Sequence, residues 1–167
     1  METQAKPRIL CVDDDRVTLR AIERSLLTSG YMVVTADSGT RALQTLQSVK
    51  PDLILLDAMM PDLDGYEVCS RLRQNQEFNS IPVIFVTSLE QKEDKAKAFA
   101  LGAADYITKP IQKETLLNKV ASHLETHARW KELDQVEGTA KAWARIKLPI
   151  KSEEEAYSSN RHETYRV

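Results

Sequence analysis

A doubly wound α/β fold, a parallel sheet with helices on both faces, is what this sequence predicts. Three observations carry that expectation. Short apolar runs alternate five times with segments of helical spacing, and every connection is long enough for a right-handed crossover. One run, Leu53–Leu56, is four uninterrupted large aliphatics, as expected of a strand buried on both faces. The runs also end on residues of chemical use: Asp13 and Asp14, then Ala36, Asp57, Thr87 with Ser88, and Lys109. In a parallel sheet those ends share one edge, where α/β folds place their binding crevices.

Taken in order, Arg8–Val12 is the first strand, and Leu19, Ile22 and Leu26 mark the inner face of a helix stopped at Gly30. Tyr31–Thr35 is the second strand. Ser38 caps a second helix whose inner face includes Leu43 and Leu46, and Pro51-Asp52 breaks it before the third strand. Asp64-Gly65 opens a helix carrying Val68 and Leu72, ended by the polar run from Gln74 to Gln76. Ile81–Val86 is the fourth strand, with Pro82 tolerable near its start. Ala96, Phe99 and Ala100 mark a fourth helix stopped at Gly102. Ala104–Ile107 is a short fifth strand, and Leu117, Val120 and Leu124 line a fifth helix.

The chain has 167 residues, 42% of them hydrophobic, with a formal charge of -2. No basic stripe points to nucleic acid, so direct nucleic-acid binding is not expected. No apolar run nears the roughly 18 residues that span a bilayer, and the N-terminus lacks a signal-peptide pattern, so the cytoplasm is the expected location. Cys11 and Cys69 sit inside apolar patterns and are expected as buried, reduced thiols. His123, His127 and His162 have no sequence neighbours to pair with and are expected in solvent.

Three carboxylates meeting in one crevice repel, and their pKa values rise unless a cation intervenes. Two cations suggest themselves: the Lys109 ammonium and a divalent metal. An all-oxygen site without His or Cys suits Mg²⁺, with Mn²⁺ as an alternative, and Mg²⁺ commonly shares its shell with phosphate. The constellation reads as a phosphoryl-transfer site. Asp57 is the best nucleophile, Asp13 and Asp14 hold the metal, Lys109 pairs with the phosphoryl group and Thr87 donates to it. Asp15 is read as the cap of the first helix and lies outside the site.

Those segments resemble the receiver domain of two-component response regulators: the acid pair after Val12, Leu55-Leu56-Asp57 through Pro61, Asp64 and Gly65, Val86-Thr87-Ser88, and Tyr106 with Lys109-Pro110. The resemblance implies a flavodoxin-like five-stranded sheet in the order 2-1-3-4-5. It divides the chain into an N-terminal arm (residues 1–7), a receiver domain (8–125) and a C-terminal extension (126–167). It further implies Mg²⁺-dependent phosphotransfer onto Asp57 from a sensor histidine kinase or phosphotransfer protein. The metal would be held by Asp13, Asp14, Asp57 and the Met59 main-chain carbonyl. Thr87 and Tyr106 would act as switch residues that remodel the face built by the fourth helix, fifth strand and fifth helix. That face, or the extension, would serve a partner or a homodimer. Such a protein is a signalling phosphoacceptor that catalyses only its own phosphorylation and dephosphorylation.

Asp13-x-Asp15-x-Val17 also fits the nucleophile motif of haloacid-dehalogenase-type phosphohydrolases, but that family needs further acids after its lysine, and the Asp57 segment would have no role. A pseudo-receiver would lack a site residue, and none is lacking. A flavin-binding reading fails on the acidic first loop, which repels a cofactor phosphate. Beyond Leu124 the last helix is expected to continue through Ala128, Leu133 and Val136 to Gly138. A short amphipathic stretch with Trp143, Ile146 and Leu148 follows, then a weakly ordered polar tail with Glu153, Glu154 and Glu155. Trp130 and Trp143 are expected to be exposed docking residues.

Overall fold

The structure is a computed structural model that describes residues 4–88 and 92–137. Strands and helices alternate: β1 (Arg8–Val12), α1 (Arg16–Thr28), β2 (Met32–Ala36), α2 (Gly39–Leu46), β3 (Leu53–Leu56), α3 (Gly65–Gln74), β4 (Val83–Thr87), α4 (Lys92–Ala100), β5 (Asp105–Thr108) and α5 (Lys113–Glu137). All pairings are parallel and the order is β2-β1-β3-β4-β5, as the resemblance implied.

The unbroken β3 run now has its physical reason. Ile54 and Leu56 point into one core with Leu10, Val12, Phe85, Leu46, Val68 and Leu72. Leu53 and Leu55 point into the other with Ile9, Cys11, Ile84, Ile22, Leu26 and Val120. Successive strand residues face opposite sides, so a strand between two helical layers must be apolar at every position. Cys11 and Cys69 are buried free thiols, and burial pushes both thiol pKa values up.

Helix starts follow the capping chemistry expected of them. Asp15 accepts from the Val17 amide and the Thr18 hydroxyl, which holds its carboxyl below the usual range and confirms it as a cap. Ser38 accepts from the Arg41 amide, and Asp64 from that of Glu67. Gly30 follows α1 with φ 92°, a conformation that other residues adopt at a cost.

Several boundaries and faces differ from the sequence reading. β4 begins at Val83, because the Ile81 amide turns back to Phe78 and Pro82 has no N–H to give the ladder. β2 and β5 each start one residue later than expected. In α4 the buried residue is Ala98; Phe99 is half-buried and Ala96 and Ala100 are exposed. In α5 Leu116 and Val120 are buried, while Leu117 and Leu124 sit at the margin; Leu43 of α2 is likewise marginal beside buried Ala42. His127 is buried and His123 is tied to Asp105, so neither is in solvent; Trp130 is half-buried. Trp143, Ile146, Leu148, His162 and the Glu153–Glu155 run lie outside the described residues.

The chain divides into two units, Met1–His127 and Ala128–Val167. The first contains the sheet. Of the second, the described part is the continuation of α5 to Glu137. No helix among the described residues is long and apolar enough to cross a membrane.

The turn after β3 is shaped by close packing. The Gly65 amide donates to the Ala58 carbonyl at 2.9 Å, and a methyl group on Gly65 would overlap the Asp57 carbonyl oxygen and the Ala58 backbone. Asp62, in the same turn, has φ 68°, which aspartate tolerates better than most residues. Gly65→Ala is therefore expected to destabilise the domain by about 1–3 kcal/mol, read as a lower urea midpoint with an unchanged slope.

Candidate functional site

Each site residue is delivered by one more rung of the parallel ladder beyond its strand. The Asp13 amide donates to the Ala36 carbonyl at 3.2 Å, that of Asp57 to Val12 at 2.9 Å and that of Lys109 to Thr87 at 2.9 Å. The backbone at these positions is thus as fixed as the sheet itself, and residues 96 positions apart in sequence meet through it.

The structure brings together the carboxylates that the sequence singled out. One oxygen from each of Asp13, Asp14 and Asp57 lies within 4.8 Å of the others. Asp13 and Asp57 are buried at 1% and 6% exposure, whereas Asp14 is open to solvent. The Lys109 ammonium reaches them from the other side, 2.8 Å from Asp13 Oδ2 and 3.5 Å from Asp57 Oδ2. Asp13 also accepts from the Asp15 amide at 2.9 Å, and Asp57 accepts only a long bond from the Met59 amide, 3.4 Å. Asp57 is therefore the less well compensated of the two buried acids. Burial and the Asp13 charge push its pKa up to about 6, against the opposing pull of Lys109. Burial lowers the Lys109 pKa, but the bond to Asp13 and the charges of Asp57 and Asp13 outweigh it, and the ammonium is held above its usual range.

Such a donor set suits a hard divalent cation: oxygen ligands alone, one solvent-facing side, and excess negative charge that one ammonium does not neutralise. Thr87 is buried at the end of β4, one strand over from Asp57. Met59, two residues past Asp57, is 58% exposed, an apolar side chain at the mouth of the site. The Lys109-Pro110 bond is cis.

Tyr106 on β5 is half-buried and surrounded. Phe99 of α4 meets it edge-on at 5.9 Å, and the Lys95 and Lys119 ammoniums stand 4.3 and 5.2 Å from its ring centre. Lys119 also donates to the Tyr106 carbonyl and to Asp105, whose other oxygen meets His123 at 2.9 Å. Burial opposes ionisation of Asp105, but these partners prevail and its carboxyl pKa is lowered. Sequence reading missed this cluster, since Lys119 and His123 reach Asp105 only once α5 packs against β5. The four-residue spacing of Lys119 and His123 was the one visible signal.

Comparison with known proteins agrees with this geometry. The family model of the response regulator receiver domain matches residues 9–121. The DNA-binding dual master transcriptional regulator RpaA of Synechocystis is 41% identical over 118 residues, 71% of this chain but only 49% of that protein. Protein PilG of Pseudomonas aeruginosa is 38% identical over 117 residues, 70% of this chain and 87% of that one. The chain thus spans about half the length of its transcriptional relatives, RpaA and the PhoP regulator of Bacillus subtilis (42%) among them. Among solved structures, a response regulator from Chloroflexus aurantiacus superposes with a TM-score of 0.70 at 33% identity, covering 72% of this chain and 99% of that one. A chemotaxis response regulator of Vibrio cholerae gives 0.68 at 29%, with 71% and 99% covered. With a family model over most of its length and the acidic crevice at its strand ends, the chain belongs to the response regulator receiver domain family.

Proposed function

We propose that this chain is a phosphoacceptor of a two-component relay, taking a phosphoryl group from a phosphohistidine onto Asp57. The observation that carries the reading is the convergence of three carboxylates and one ammonium at the ends of three strands, Lys109 standing 3.5 Å from Asp57. An Asp57 oxygen attacks phosphorus in line, the P–N bond of the donor breaks, and the departing imidazole takes up a proton. Asp13, Asp14, Asp57 and the Met59 carbonyl would hold Mg²⁺, which when bound neutralises phosphoryl oxygens and the crowded acids. Lys109 then exchanges its Asp13 contact for a phosphoryl oxygen, and the Thr87 hydroxyl donates to another. Apart from this chemistry on its own Asp57, the domain is a regulator rather than an enzyme of turnover.

Output would follow from movement of the α4–β5–α5 face toward a partner or a second copy, with Thr87 drawn to the phosphoryl group and Tyr106 inward. The weak anchoring of α4 supports this. Ala98 is its one buried side chain among those described, and Lys97 over Tyr66 and Lys95 over Tyr106 supply contacts that rearrange at low cost. The receiver domain is proposed to span residues 8–125, with 126–167 as an extension.

Incubation with acetyl phosphate and Mg²⁺ is expected to add one phosphoryl mass to the wild type and none to Asp57→Asn or to wild type in excess chelator. A gain retained in Asp57→Asn sinks the assignment.

The pH dependence has a definite sign. The Asp57 pKa is about 6 in the fold against 3.8 unfolded, so ionising it opposes folding. That penalty is complete above pH 6 and vanishes below 3.8. In calorimetry without metal, Asp57→Asn is expected to melt above the wild type at pH 7.5, with the gap closing toward pH 4. Mg²⁺ is expected to raise the wild-type Tm more than the variant's.

Met59 cannot orient a hydrolytic water, so Met59→Asn is expected to shorten the phosphoryl lifetime severalfold. Equal decay rates in the two proteins would remove Met59 from the account.

A further inference from the structure

Helix α1 carries arginines at positions 16, 20 and 24, one per turn, so they form a single row about 12 Å long at 1.5 Å per residue. All three are exposed, and among the described residues none pairs with a carboxylate. Arginines elsewhere are used differently. Arg41 and Arg71 pair with acids four residues before them, and Arg73 donates to the carbonyls of Asn79 and Ile81. Asp15 could have neutralised the start of the row, but its oxygens are spent on Val17 and Thr18. Like charges one turn apart weaken a helix, so α1 keeps the row against its own stability.

Beside the row runs an apolar strip. Val17 is 78% exposed, and Val17 and Ala21 form the floor of the recess flanked by the three arginines. The same two residues line a second recess, about 270 Å³, that crosses to Pro110 and Ile111 and reaches Lys109 of the site. A surface that begins at the phosphoacceptor and offers one cationic and one apolar stripe, both at helical spacing, is complementary to one kind of element. That element is an amphipathic helix with carboxylates one turn apart beside small apolar residues.

We infer that Arg16, Arg20 and Arg24 are specificity determinants that select a phosphodonor protein presenting an acidic row on the helix beside its phosphohistidine. The inference rests on the phosphoacceptor reading and adds to it the charge of the donor's docking helix. The row lies outside the reacting groups, so it governs encounter with a protein donor and leaves transfer from a small molecule unchanged.

The test uses a four-helix histidine-phosphotransfer protein in two engineered forms, with three glutamates or three lysines at four-residue spacing beside its phosphohistidine. The wild type is expected to accept phosphate at least tenfold faster from the glutamate form, and the preference is expected to shrink at about 1 M salt, where the Debye length is ~3 Å. The triple variant R16E/R20E/R24E is expected to prefer the lysine form, with Arg20→Glu alone intermediate. Labelling by acetyl phosphate, equal in all variants, shows that fold and site are intact. Equal rates from both donors, transfer from neither, or a preference that survives the triple reversal overturns the inference. Failure of acetyl phosphate to label the wild type at Asp57 overturns the phosphoacceptor reading instead.

Discussion

Mutual repulsion of buried carboxylates is the constraint around which this domain is arranged. Asp13 and Asp57 are nearly inaccessible to water, and a single ammonium is shared unequally between them, 2.8 against 3.5 Å. Holding like charges so close requires a backbone that does not yield. The ladder supplies it: Asp13, Asp57 and Lys109 each take one more inter-strand bond past the end of their strands. Those strands in turn are rigid because both faces of the sheet are packed, Leu53 to Leu56 alternating between two cores. The chemistry at the edge and the apolar interior are thus one mechanical system.

Rigidity is not distributed evenly. Helices α1 and α3 bury three and five residues respectively, and both have side-chain caps. Helix α4 has neither advantage, and what holds it is largely aromatic: Lys97 on Tyr66, Lys95 and Phe99 on Tyr106. Tyr66 itself stacks on Phe85, two residues before Thr87. The element with the least packing is therefore connected through rings to the strand that ends in the site. A local change of charge can bias such an element, where it could not bias α1 or α3.

Much of this was legible in the residues. β3 could be read because burial on both faces leaves an unbroken apolar run, and the site because parallel strands collect their ends at one edge. What escaped reading did so for specific reasons. In α4, alanines at 96, 98 and 100 are too small and too evenly spaced to declare a face, and the structure selects Ala98. In α5, adjacent Leu116 and Leu117 leave the helix phase ambiguous by one residue, and packing chose Leu116. β4 starts late because Ile81 belongs to the preceding turn, which its apolar side chain conceals. The Asp105–Lys119–His123 cluster joins a strand to a helix 14 and 18 residues later, a relation no local pattern encodes.

The turn from β1 into α1 shows how little latitude such a site has in chain length. Three consecutive acids hold three different positions: Asp13 buried against Lys109, Asp14 facing solvent beside it, and Asp15 folded back on the first turn of the helix. Their assignments depend on the residue count after Val12, not on side-chain identity, since all three are aspartate. Inserting or deleting one residue there would leave the composition intact and shift every role by one place. Sequence drift along this turn is therefore confined to substitution, whereas the loop joining α3 to β4, remote from the acids, is free to change in length.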